Sequence, residues 1–193
     1  MKNTGFVNLS IKNLFAFALL VFILQACNKD EPIIINDEEL ITTLRLEFTP
    51  SDSSQTRIIQ FQDLDGDGGQ APIFSADTLN ANTNYSLRLY VLNESESPAE
   101  DITSEILEEG EDHQFFFLID NALNLSVSYN DFDNNTNPIG LINYASTQGA
   151  SSGQFSVVLR HQGDKFATGV SSGDITNAGG ATDIEVSFDV VVQ

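Results

Sequence analysis

The feature that most constrains this chain is a strict alternation of apolar and polar residues that recurs along residues 40–193. Leu40, Thr42, Leu44, Leu46 and Phe48 fall on one side of an extended backbone. Tyr85, Leu87, Leu89 and Val91 do the same, as do Leu123, Leu125, Val127 and Tyr129. Phe155, Val157 and Leu159 form a fourth set, and Ile184, Val186, Phe188 and Val190 a fifth. Successive side chains of a strand point to opposite faces, so each stretch reads as a strand with one buried and one wet face. That habit belongs to antiparallel sheets, since strands of parallel sheets are covered on both faces. Residues 57–62, 114–119 and 139–145 are shorter candidates, and clusters of Gly, Asn, Asp, Ser and Pro separate them all. The expectation is a mainly β domain over 40–193: an antiparallel β-sandwich of about eight strands with one short acidic α-helix.

Two local signatures refine this. Leu79-Asn80-Ala81-Asn82-Thr83-Asn84-Tyr85 resembles the corner of immunoglobulin- and fibronectin-III-like domains. There a Tyr hydroxyl bonds back to the loop backbone, which the resemblance implies for Tyr85. Ala81 stands where that family usually has Pro. The helix is announced by Ser97-Pro98-Ala99-Glu100, which reads as a capping box with Ser97 at the N-cap and Pro98 at the first helical position. Ile102, Ile106 and Leu107 would share its apolar face, and Gly110 would end it.

Ahead of the β domain lies a different kind of sequence. Lys2 and Lys12 precede an apolar run of eleven residues, Leu14 to Leu24. As a helix it would rise about 16 Å, too short for a hydrocarbon core of roughly 30 Å. It reads as the apolar region of a secretory signal spanning 1–26. Leu24-Gln25-Ala26-Cys27 resembles a bacterial lipobox, which implies diacylglyceryl attachment at Cys27. Lys29, Asp30 and Glu31 resemble the surface-export signal of some Gram-negative lipoproteins, implying an outer-membrane anchor with the protein facing the cell exterior. Residues 27–39 would then be a lipidated tether reaching about 35 Å when extended.

Charge excludes some partners. The chain has 28 acidic and 8 basic residues and a net charge of −20, and every acidic residue lies beyond Ala26. Such a surface repels phosphate backbones, so no nucleic-acid partner is expected. The one Cys rules out an intrachain disulfide, and no G-x-S-x-G, P-loop or H-E-x-x-H motif occurs. The expectation is a non-enzymatic binding or accessory module, with an envelope protein as a candidate partner. A calcium-dependent module taking a glycan or protein ligand is the alternative.

Calcium enters through two loops. Asp63, Asp65 and Asp67 alternate and are followed by Gly68, matching the first half of a calcium loop. The twelfth position is Phe74 rather than Glu, so this is not an EF-hand. Asp131, Asp133 and Asn135 repeat the spacing more weakly between two strands. Either stretch reads equally well as a plain turn, because Asp, Asn and Gly are turn residues. His113 is expected to cap the helix or sit in solvent, and His161 to lie in the basic stretch Arg160 to Lys165. Their separation in sequence offers no spacing argument for a two-histidine site.

The stretches Phe61 to Gly69, Ser97 to Thr103, His113 to Phe116 and Gly173 to Gly180 resemble a family of small uncharacterised bacterial surface lipoproteins. Some members carry the label "type 1 periplasmic binding fold", a longer two-domain α/β architecture that the alternation above does not support. The resemblance implies neither a ligand nor an activity.

Overall fold

A computed structural model describes residues 40–52, 55–66 and 68–193. Cys27, the tether and the Lys29-Asp30-Glu31 segment lie outside the described residues. The strands are β1 (Thr43–Pro50), β2 (Arg57–Gln62), β3 (Ile73–Ala76), β4 (Asn84–Leu92), β5 (His113–Ile119), β6 (Leu125–Tyr129), β7 (Ile142–Thr147), β8 (Ser151–His161) and β9 (Ala181–Val192). One helix, α1 (Ile102–Glu108), joins β4 to β5. The strands form two antiparallel sheets: six strands in the order β3-β2-β1-β4-β7-β6, and three in the order β5-β8-β9.

The alternating sets meet between these sheets. Leu44, Leu46 and Phe48 of β1, Leu87, Leu89 and Val91 of β4, and Phe155, Val157 and Leu159 of β8 are all buried in one cluster with Ile184 to Val192 of β9. Each buried side chain of this size contributes about 1.5–3 kcal/mol. Phe48 sits edge-on to both Tyr85 and Phe155, tying the two sheets through one ring. Leu40 departs from the expected set: it is exposed and precedes β1. β3 was not anticipated, because its four residues are all exposed and show no alternation.

The Tyr85 hydroxyl accepts from Asn80 N at 2.8 Å and donates to Asn80 O at 3.2 Å, which closes the expected corner. The capping box is corrected. The helix starts at Ile102 with Asp101 at its N-cap, not at Ser97. Glu100 instead pairs with Asn93: Asn93 N donates to Glu100 O and Glu100 N to Asn93 O, so that stretch is held as a bridge rather than a first turn. Ile102 and Ile106 are buried as expected, but Leu107 is exposed.

The three-stranded sheet also has a covered outer face. Phe116 of β5 and Val158 of β8 point away from the main core and pack with Val170 and Ala178 of the segment between β8 and β9. That segment makes two short 3-10 turns, Val170–Ser172 and Ile175–Asn177. It folds back over the sheet instead of connecting β8 to β9 directly. Among the described residues, no helix is long and apolar enough to cross a membrane.

Candidate functional site

At the α1 end of the small sheet the core turns polar. β5 and β8 pair in antiparallel register, and that register sets His113 directly opposite His161. Both face inward, two positions from Phe115 and Leu159 respectively, and both are buried. Their rings stack at 4.5 Å between centroids, with 19° between planes.

The third member comes from β9 through an irregularity. Leu159 pairs with Ile184 but Arg160 pairs with Thr182, leaving Asp183 as the extra residue of a β-bulge. A bulge re-aims a side chain that regular alternation would send the other way. Here it turns the Asp183 carboxylate inward, where its oxygens lie 3.7 Å from His113 Nε2 and 3.7 Å from His161 Nδ1. The Asp183 side chain is fully buried. Glu109, at the end of α1, completes the group: a carboxylate oxygen and one nitrogen of each histidine all lie within 4.8 Å of one another. Its main-chain oxygen is also 3.2 Å from His113 Nδ1. Burial pushes the His113 imidazole below its usual range, against the Glu109 carbonyl, which works the other way.

A buried ammonium braces this corner. Lys165 Nζ donates to Gly110 O at 2.6 Å and His113 O at 2.9 Å, and lies 2.8 Å from Asp133 Oδ2. It therefore fastens the end of α1, the start of β5, the 131–138 loop and the segment after β8 to one point. Beside it, Glu108, Glu109, Glu111, Asp112, Phe132 and Asp133 line an open pocket. Gly180 lets the return segment approach: with φ of +71°, a Cβ there would stand 2.3 Å from His161 O.

The expected calcium ligands fall in different settings. In the 131–138 loop, Asp131 Oδ1 and Oδ2 accept from Gly140 N and Leu141 N at 2.9 Å each. Asp133 Oδ1 accepts from Asn135 N and Asn137 N, and its other oxygen faces Lys165. Asn135 is exposed. These carboxylates are already engaged by their own backbone and by an internal cation. Burial still lifts Asp131 above the usual carboxylate range, and pushes the nearby Tyr129 hydroxyl up to about 12. Asp63 and Asp65 lie at the turn between β2 and β3; Asp65 Oδ2 accepts from Gln70 N at 3.2 Å. Asp67 lies outside the described residues.

The histidine group was missed because sequence spacing carries no information about it. The signal that could have found it is strand register, with His113 opening β5 and His161 ending β8. No family profile, curated protein or solved structure matches this chain.

Proposed function

We propose that the chain is a lipid-anchored, non-enzymatic binding module of the bacterial outer membrane, displayed on the cell exterior, whose binding end is the corner where Glu109, His113, His161 and Asp183 converge. The observation that supports a binding end is this convergence itself. Ionisable side chains are costly to bury, and here a β-bulge and a strand register bring three of them together at one end of a mostly apolar core. The anchoring half of the reading rests on Leu24 to Cys27 and on Lys29, Asp30 and Glu31.

Cell fractionation tests it. Cys27→Ala should leave unacylated precursor and release the protein from the detergent phase. Replacing Lys29, Asp30 and Glu31 with Ala should shield the domain from protease added to intact cells. A Cys27→Ala chain that still partitions with the outer membrane overturns the anchor, and equal digestion of wild type and triple variant overturns outward display.

A second reading, calcium at the Asp63 turn, has one observation in its favour. Asp63 Oδ1 is buried with no hydrogen-bond partner among the described residues. A melting temperature raised by CaCl₂ but not by MgCl₂, and lost in Asp65→Asn with Asp67→Asn, would support it. Equal shifts with both salts would remove it.

A further inference from the structure

Asp183 divides the nitrogens of the histidine pair into two sets. Its oxygens face His113 Nε2 and His161 Nδ1, which leaves His113 Nδ1 and His161 Nε2 as the second set. The Glu109 carboxylate lies within 4.8 Å of one nitrogen of each ring, and a metal at His113 Nδ1 would replace that atom's 3.2 Å contact with the Glu109 main-chain oxygen. We propose that Glu109, His113 and His161 bind one divalent transition-metal ion of the zinc class, with Asp183 as the carboxylate that orients both rings. This rests on the reading of this corner as the binding end and names what it binds.

The donor chemistry selects the ion. Two imidazoles and one carboxylate suit zinc, cobalt or nickel, whereas magnesium and calcium take oxygen shells. Histidines that hold such ions almost always give their other ring N–H to a carboxylate or carbonyl, which fixes tautomer and orientation. Asp183, 3.7 Å from one nitrogen of each ring, is a short shift from that position for both, and the bulge in β9 turns its side chain inward.

The geometry needs a small closure. Donors within 4.8 Å of one another must draw in to about 3.3 Å around an ion with bonds near 2.0–2.2 Å. Glu109 is exposed, so its carboxylate can move. The rings must open from their stacked arrangement, and His161, slightly exposed where His113 is not, is the one with room to turn. Lys165, the one lysine among the described residues, is matched by Asp133 at 2.8 Å. Three protein ligands would leave a further coordination position facing the acidic pocket, whose carboxylates raise the local concentration of any cation. That general attraction is why the test needs oxygen-seeking ions as controls.

The experiment uses the untagged full chain, solubilised in detergent and stripped with EDTA. ZnCl₂ is titrated in competition with a chromophoric chelator, CaCl₂ and MgCl₂ are titrated separately, and CoCl₂ serves as a visible-absorption probe. The expected result is one zinc per chain, bound at least 100-fold more tightly than calcium or magnesium. Glu109→Gln, an exposed change that leaves the fold alone, should weaken zinc at least 10-fold, and Asp183→Asn by about 10–100-fold. His161→Gln should abolish the cobalt absorption. Equal affinity for all three ions, or zinc binding that survives either Glu109→Gln or His161→Gln unchanged, overturns the proposal. Fractionation of the Cys27→Ala chain is independent of the metal, so either reading can fail while the other stands.

Discussion

The two aspartate-rich loops are near twins in sequence and opposites in structure. Asp63 to Gly69 caps the β2–β3 hairpin at the edge of the large sheet, and Leu64 and Asp65 there are exposed. Asp131 to Pro138 joins β6 to β7 near the end of α1, and its carboxylates hold backbone amides and the buried Lys165. What separates them is the surroundings: among the described residues, the second loop has an ammonium delivered to it by a distant part of the chain. Alternating carboxylates can thus stand exposed at a turn or seat a cation from within the fold.

The largest test of this contrast is Lys165→Met. It leaves Asp133 buried without its ammonium and two main-chain oxygens without their donor, and should cost about 3–5 kcal/mol by chemical denaturation. The double variant Lys165→Met with Asp133→Asn should recover part of that loss, because the amide keeps an acceptor for Asn135 N and Asn137 N while neither charge is left stranded. If the double variant is as unstable as the sum of the singles, the pair is not the unit it appears in the geometry.

Asp131 provides a pH test of intermediate size. Its folded carboxyl titrates above the unfolded value of about 3.9, so the folded state holds that proton more tightly. The stability it contributes is complete below about pH 3.9 and is lost as pH rises through the raised folded value. Asp131→Asn should flatten that slope in denaturation curves taken upward from about pH 4. An unchanged slope would mean another group sets it. The smallest effect belongs to the other loop. Asp65→Asn, measured in chelator, should change stability by no more than about 0.5 kcal/mol, as exposed positions do. A loss above about 1 kcal/mol would show that the Asp63 turn is as structurally committed as its twin.

Much of the fold was legible because burial and period coincide. Tyr85 to Val91 and Ile184 to Val190 bury the residues that alternation selects. β3 escaped because an exposed edge strand has no face to mark. The helix start was misplaced because Ser97 to Glu100 satisfies a local rule, while Asn93 competes for Glu100 from seven residues away. The histidine corner was illegible for a different reason. It depends on the pairing of β5 with β8, on a one-residue slip in β9 and on a lysine from the return segment. None of these leaves a periodic trace. Even the Asp131 loop, visible as a spacing, had its meaning set by Lys165.

The placement of β9 bears on how such a chain comes to be made. This strand supplies Ile184, Val186, Phe188, Val190 and Val192 to the shared core, and its far end clasps the stretch after β3, with Leu79 N donating to Val191 O and Gln193 N to Leu79 O. Asp183, the hinge of the polar corner, belongs to it as well. Until β9 is in place, the inward faces of β8 and of the strands that share its core lack part of their cover. A chain lacking Ala181 to Val192 would be left with a small sheet of β5 and β8 alone.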